Sequence, residues 1–385
     1  MSPRYRRAAA VSALVVLSSA AAIVVAEVLV RAFAPQAVRV AWEDEQDGIR
    51  VPRPDVRGRH AVPGKFDVWV TINSERFRGS REYATSPAPG VTRLAVLGDS
   101  MTFGWGAEDD QTYPAQLESI LGAGSGKGLV EVINAGYPGT CLGEKAAWYV
   151  RGVRPYRPSR VVLTLLGDDV DGDLFWRVFS LDPTGSVVRN PPSARGPGPR
   201  AAASTRSVVQ SLPGYERLAE RSELFALVRA AAARVASRER TSALGLVPAT
   251  PDEAARFRGE GLALLAGELR WLRERTREDG ADLAVVLIPF RESVYPAGGW
   301  WADELRWKTA AVAEAADRTC REMAVRFLDL TPALVDRSRS ASSPLYHEGV
   351  ETHPTPAGYR AIAEEVAGFL LESGRLPAAA ARASH

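Results

Sequence analysis

Short apolar runs recur through the middle and end of this chain, and each is cut off by a glycine or a turn residue. Leu94–Leu97, Val130–Ile133, Val161–Leu166 and Leu283–Ile288 have strand length and little polar interruption, the pattern of strands buried on both faces. A shorter run, Arg326–Leu330, predicts a fifth strand. Between these runs the period changes to that of a helix. Tyr113–Leu121 follows a Thr112 cap, with Pro114 in its first turn. Glu216–Arg238 carries Leu218, Leu224, Phe225 and Val228 at helical spacing. Thr250-Pro251-Asp252-Glu253 is a capping box with proline in the first helical position,. Leu262, Leu265, Leu269 and Leu272 then line one face, and Gly280 closes the helix. Further helices are predicted over Ala302–Met323 and from Thr355-Pro356 through Tyr359, Ile362, Val366 and Phe369. Strands alternating with helices predict a parallel sheet covered on both faces.

The flanks read differently. Arg4, Arg6 and Arg7 precede an apolar or small-residue run from Ala8 to Ala26, closed by Glu27 and Arg31. That length is close to the roughly 20 residues of a membrane-spanning helix, and the basic flank places the amino terminus in the cytoplasm. A cleaved signal peptide processed near Ala20, Ala21 and Ala22 is the rival reading,. Either way the bulk of the chain is exported.

Residues 35–92 are polar and punctuated by Pro and Gly. Within them Phe66, Val68, Val70 and Ile72 alternate with Asp67, Trp69 and Thr71, a half-buried strand,. Ser74 to Tyr83 reads as a loop leading inward. Residues 181–213, rich in Pro, Gly, Ser and Arg, read as a long mobile loop,. The organisation expected is a stub and anchor over 1–34, an extension over 35–92 packed on the main domain, and that domain over 93–375. A loop and helical insertion occupies 181–250 of it, and 376–385 is a disordered tail.

Composition adds exclusions. The chain has 385 residues, 46% hydrophobic and 24% charged, with a net charge of +2, ordinary values for a globular protein with an ample core. The positive charge is nearly all Arg, spread along the chain, with four Lys. Nothing in that distribution supports nucleic-acid binding. Cys141 and Cys320 are far apart, and their spacing leaves one disulfide open without establishing it. Two Cys and four His in no ligand spacing give no zinc site,. Asp168, Asp169, Asp171 and Asp173 lack the full calcium-loop pattern,.

The chemistry gathers at strand ends. Leu94–Leu97 runs into Gly98-Asp99-Ser100, Val130–Ile133 into Asn134-Ala135-Gly136-Tyr137-Pro138-Gly139, and Val161–Leu166 into Gly167-Asp168-Asp169. Carboxyl ends of parallel strands are where open α/β sheets place their ligands. A serine hydroxyl is a poor nucleophile near neutral pH and needs a base to take its proton; imidazole suits that work. Glu351-Thr352-His353, just before the last helix, supplies a base in His353 and a carboxylate in Glu351 to orient it,. Glu348 is an alternative carboxylate and His347 an alternative base. Acyl transfer also needs donors facing the developing oxyanion. The candidates are the backbone N–H groups of Ser100 and Gly139, while Gly139 can equally be a turn residue only.

With these blocks in this order, the chain resembles the SGNH (GDSL-type) hydrolase superfamily, and more closely its exported, membrane-anchored bacterial subgroup. The resemblance rests on Gly98-Asp99-Ser100 with Thr102-Phe103-Gly104 and Thr112-Tyr113-Pro114, on Gly139, and on Glu351-Thr352-His353-Pro354 followed by Ala357-Gly358-Tyr359. Phe77-Arg78-Gly79 is similar to the subgroup's lead-in. Coverage runs from about residue 66 to 372, with 181–250 poorly matched. The resemblance implies an α/β fold: a three-layer α/β/α sandwich, flavodoxin-like, with a parallel five-stranded sheet, a helical insertion and an N-terminal transmembrane helix.

It also implies Ser100 as nucleophile, His353 as base and Glu351 as the triad acid, with no metal or organic cofactor. Two departures stand out. The family's third block usually presents Gly-Asn-Asp, and here Asp168 replaces the amide. The family's triad carboxylate is usually Asp, and here Glu351 stands two residues before the histidine. Asp168 is either a protonated oxyanion donor, an unhelpful bystander in a slow enzyme, or the mark of a lost activity. The function expected is an extracytoplasmic serine esterase acting on ester or O-acyl groups, with a cell-envelope polysaccharide as one substrate class. The alternatives are an O-acyltransferase on an envelope glycan and a catalytically decayed, membrane-tethered glycan-binding or assembly protein.

Overall fold

The computed structural model describes residues 3–125, 129–194, 214–236, 250–295, 298–348 and 352–372. An apolar helix, Pro3–Phe33, comes first and is long and apolar enough to cross a membrane. Its last turns, beyond the apolar run, carry Glu27 and Arg31 paired one turn apart at 2.7 Å. The extension then folds into five short strands: β1 (Val38–Arg39), β2 (Glu43–Gln46), β3 (Ile49–Pro52), β4 (Val56–Val62) and β5 (Phe66–Ile72). Strands β1, β4 and β5 form an antiparallel sheet, and β2 and β3 a hairpin. Only β5 was legible, because its alternation is clean: Val68, Val70 and Ile72 are buried while Asp67 and Trp69 are exposed. Strands β1, β2 and β3 are short, and in β4, as long as β5, Arg57, Gly58 and Arg59 break the pattern.

Strands β6 (Thr92–Gly98), β7 (Val130–Gly136) and β8 (Arg160–Leu165) follow, then a hairpin of β9 (Phe179–Leu181) and β10 (Val187–Arg189). Strands β11 (Asp282–Leu287) and β12 (Arg326–Asp329) complete the set. The main sheet has five strands in the order β7-β6-β8-β11-β12, parallel throughout. This is the flavodoxin-like order, in which the chain steps to one side of β6 and then to the other. Side chains of β6 alternate between two cores. Ala95 and Leu97 join the core under helices Leu142–Trp148, Leu262–Glu278 and Trp300–Glu322. Leu94 and Val96 join the opposite one under Tyr113–Ser125 and Pro356–Leu371. The result is the expected three-layer sandwich.

Two expectations need correction, and one open question is answered. The helix expected over Glu216–Arg238 is two, Tyr215–Arg221 and Glu223–Ala236, because Ser222 is extended and its hydroxyl accepts from Phe225 N at 3.0 Å. Glu27 of the apolar helix caps the second piece, accepting from Ser222 Oγ at 2.7 Å, Glu223 N at 2.9 Å and Leu224 N at 3.1 Å. The 181–213 segment begins with the β9–β10 hairpin, whose turn is held by Asp182 Oδ1 accepting from Thr184 N and Ser186 N; residues 195–213 lie outside the described residues, as does the 376–385 tail. Cys141 and Cys320 are free thiols, each buried, and the disulfide left open by their spacing is not formed.

The extension packs on the main domain. Val40, Trp42, Val56, Val70 and Ile72 share a core with Phe103 and Tyr137. Arg78, from the inward-leading loop, is fully buried and donates to the carbonyls of Phe103 at 3.3 Å and Ala107 at 2.8 Å while pairing with Asp109. It fixes the extension to the segment that follows Ser100.

Candidate active site

The strand end at β6 is sharp because nothing but glycine fits there. A Cβ on Gly98 would lie 1.9 Å from Thr102 Oγ1, and one on Gly136 of the neighbouring strand 2.4 Å from Phe103 N. The chain therefore turns at Asp99, whose side chain accepts from Met101 N at 2.8 Å, into the one-turn helix Ser100–Phe103. Ser100 is left half-exposed at the carboxyl edge, where β6 and β8 diverge.

His353 arrives from the far end of the chain. After β12 an additional helix, Thr331–Ser340, which the apolar pattern did not reveal, carries the chain back over the sheet. The following loop is closed on itself: His347 N donates to His353 O at 2.9 Å, Thr355 N donates to Leu345 O at 2.9 Å, and Tyr346 bridges Pro354. Thr355 then caps the last helix, its hydroxyl accepting from Gly358 N at 3.2 Å. So held, His353 Nε2 lies 2.9 Å from Ser100 Oγ. The two residues are 253 positions apart in sequence, and the expected meeting of hydroxyl and imidazole is present. His347, the alternative base, points its ring instead toward Phe66, centroids 5.7 Å apart. Glu348 accepts at its backbone oxygen from Lys65 Nζ at 2.5 Å. Glu351 lies outside the described residues.

The other strand ends converge on the same edge. The loop after β7 is tied to Gly98 O by Tyr137 N at 2.9 Å and Thr140 Oγ1 at 3.3 Å. Gly139 on that loop has φ +75°, a conformation that disfavours any side chain, and its carbonyl accepts from Arg50 of β3. After β8, Asp168 precedes the helix Asp169–Trp176 and is solvent-exposed. Loss of hydration among crowded surroundings, then the nearby Asp99, push its carboxyl up to about 6, with Lys145 opposing. Its contact with solvent limits that rise.

Lys145 lies beneath the candidate site and is a residue the sequence did not mark. It lies on the helix Leu142–Trp148, fully buried under the strand ends. Its ammonium donates to Asp99 Oδ2 at 3.1 Å, Thr164 O at 3.1 Å, and Asp169 Oδ1 and Oδ2 at 2.6 and 2.8 Å. For Lys145 the carboxylates outweigh burial and raise its pKa; for Asp169 burial outweighs the ammonium and raises that pKa too. These directions pull the shared proton opposite ways, and the donor count decides. Asp169 also accepts from Leu166 N at 2.8 Å, so its two oxygens face only donors and the pair is ionic. Lys145 thus joins the turn bearing Ser100 to the strand end bearing Asp168. A lysine amid Leu142, Ala146, Ala147 and Trp148, in a chain with four lysines, was the available signal: a charge in an apolar run is buried only when paired.

The remaining aspartates of the third block have partners of their own. Asp173 Oδ1 accepts from Gly143 N at 2.8 Å, and Asp171 pairs with Lys308 at 2.9 Å. No cluster of three or more potential metal ligands occurs among the described residues.

A serine hydroxyl against a half-buried imidazole at a strand edge, with the Gly139 loop of a second strand end beside it, is an arrangement that can carry out acyl transfer,. Among curated proteins none matches the chain. Solved structures with a similar fold include TesA, at 14% identity over 72% of this chain and 98% of that one, with a TM-score of 0.40. A catalytic mutant of Axe2, an acetylxylan esterase from Geobacillus stearothermophilus, is 15% identical over 75% of this chain and 96% of its own, TM-score 0.40. LAE5, an alpha/beta hydrolase enzyme from the metagenome of Lake Arreo, is 16% identical over 74% and 96%, TM-score 0.41. Residues 96–361, more than half of the sequence and spanning both Ser100 and His353, match the model of one family, and the chain belongs to it: the GDSL-like lipase/acylhydrolase family.

Proposed function

We propose that the protein is an extracytoplasmic serine esterase that removes ester-linked acyl groups through an acyl-serine intermediate. The observation that carries this reading is the 2.9 Å approach of His353 Nε2 to Ser100 Oγ. In the neutral tautomer with a proton on Nδ1, Nε2 takes the hydroxyl proton as Oγ bonds to the ester carbonyl carbon. The carbonyl pair moves onto oxygen. When it returns, the ester C–O bond breaks and the imidazolium hands its proton to the departing alcohol. Water then repeats the sequence on the acyl-serine, releasing the acid. Glu351, two residues before His353, is the carboxylate assigned to orient Nδ1. The apolar helix, with Arg4, Arg6 and Arg7 at its amino-terminal end, supports an anchor with a cytoplasmic amino terminus,. A site tethered outside that membrane meets envelope glycans, so O-acylated polysaccharide is the favoured substrate class.

A fluorophosphonate probe tests the reading. The parent protein is expected to be labelled and the Ser100→Ala variant not; a folded parent that resists labelling overturns it and favours a decayed binder.

Asp168 is assigned to the oxyanion site with the N–H groups of Ser100 and Gly139. Protonated, the Asp168 carboxyl is a donor; as the pH rises through its raised pKa it becomes an anion that repels an oxyanion,. An imidazole base, in contrast, gains with rising pH as its ring becomes neutral. The parent is therefore expected to give a narrow bell in kcat/KM against pH. Asp168→Asn should remove the alkaline fall and raise kcat/KM near pH 8 by about 10- to 100-fold. Steady-state hydrolysis of p-nitrophenyl acetate between about pH 5 and about pH 9 reads this out. A variant slower than the parent at every pH would remove Asp168 from the oxyanion site.

A further inference from the structure

His353 does not stand alone against Ser100. The Trp105 indole lies on its ring with centroids 5.2 Å apart and planes 22° from parallel. Trp105 is itself fixed from both sides of the reaction. Its backbone N–H donates to Ser100 O at 3.1 Å, and its backbone carbonyl accepts from Tyr359 Oη, on the helix that follows His353, at 3.0 Å. Behind the indole stand two side chains of the amino-terminal strands and their linker: His60 at 4.5 Å and Trp42 at 5.8 Å between centroids, both edge-on. Phe66 closes the corner against Gly106, where a Cβ would lie 2.6 Å from the phenyl ring. His60 is buried and its pKa pushed down to about 3, by burial first and then by Arg39, Arg78 and His353, so it backs the stack as a neutral ring.

We propose that Trp105 is a positioning residue for His353, and that the amino-terminal sheet acts in catalysis by holding the indole in place. This rests on the esterase reading above and deepens it. In proton transfer from Ser100 the imidazole gains a full positive charge. An aromatic face over a cation attracts it through the ring quadrupole, so the indole favours the imidazolium more than the neutral ring, which is stabilisation specific to the transition state. The same stack fixes the ring plane, so that Nε2 stays aimed at Oγ. Other charged and titratable groups that bear on the stack include Arg39 and His60 from the amino-terminal sheet, Arg78 from the buried loop, Tyr359 from the last helix, His347 and Glu348 from the loop before His353, Asp99 next to Ser100, and Glu351, the carboxylate assigned to His353. Arg39 lies 5.8 Å from the Trp105 centroid. None of these changes in the variants below.

Trp105→Leu is expected to lower plateau kcat by about 3- to 10-fold and to move the acid limb of kcat/KM about half a pH unit lower. The sign follows from the imidazolium losing its partner: the ring gives up its proton more readily, so the base is ready at lower pH yet slower. Trp105→Phe, with a smaller face, should fall between, and it carries the test alone if the Leu variant misfolds. A merely structural role would reduce kcat with no movement of the limb. The titration midpoint of His353, followed by NMR in the Ser100→Ala background with and without Trp105→Phe, reads the same shift without any turnover. An unmoved or raised midpoint overturns the assignment of Trp105. An unlabelled parent overturns the esterase reading instead, and the two failures are separable.

Discussion

Alanine at Ser100, or at His353, is expected to lower kcat/KM for ester hydrolysis by about 10⁴- to 10⁶-fold, and the double substitution to lower it no further. The reason is geometric. At 2.9 Å the imidazole nitrogen and the hydroxyl share one proton, and each is useful only through the other: the hydroxyl is not activated without the base, and the base has no proton to take without the hydroxyl. Free energies of residues that act as one unit do not add. What survives comes from the N–H donors and from substrate binding, neither of which passes through the pair, so the single and double variants should converge on the same residual rate. Kinetics of the parent, both single variants and the double variant give the answer. Multiplying losses would mean that His353 serves some other step. A Ser100→Ala variant within about tenfold of the parent would mean that water attacks the ester directly, and the acyl-serine would be excluded.

The pairing of these two residues was legible in sequence, while much of what holds them was not. The motif order on successive strand ends put Ser100 and His353 at one edge, because a parallel sheet leaves little freedom in where its carboxyl ends point. Strand lengths were underestimated at β6 and β7. Gly98 and Gly136 carry no apolar signal, yet they pair with each other in the ladder. The break at Ser222 was hidden because the helical periodicity runs straight through it. The capping oxygens come from Glu27, about 195 residues earlier, and no local rule reports a partner at that distance. The packing of Trp105 and Trp42 left no mark in the sequence for a similar reason: a stack is a property of two faces, and sequence gives the faces without their approach. The β9–β10 hairpin lay in a stretch whose composition was that of a loop, with Asp182 fixing the turn. At Ser222 and at Trp105 a short-range pattern lost to a contact made by distant chain, whereas at the hairpin a local side-chain turn was masked by composition.

Lys145 is where the fold and the candidate site depend on the same few atoms, and Lys145→Met is expected to destabilise the protein by about 3–5 kcal/mol. The methionine fills a similar volume, so packing changes little. The loss comes from Asp99 and Asp169, left close together and buried with no cation between them. Their remaining donors, Met101 N and Leu166 N, do not offset two charges. The sign with pH is distinctive. Without the ammonium, burial and mutual repulsion raise the folded-state pKa of these carboxyls above the unfolded value, so the folded state takes up protons more readily than the unfolded chain. The deficit should therefore be greatest at neutral pH and shrink as the pH falls through the raised folded pKa, the reverse of ordinary acid denaturation. Asp169→Asn added to Lys145→Met should recover part of the loss at neutral pH by removing one of the two charges. Chemical denaturation of the parent, single and double variants at about pH 7.5 and about pH 5 measures all of this. A deficit that is the same at both values would mean that Lys145 contributes by packing alone. The activity of the double variant adds a second readout. If Lys145 aligns the strand ends bearing Ser100 and Asp168, stability should return with the second substitution while kcat does not, because the tie between the first and third strand ends is still cut.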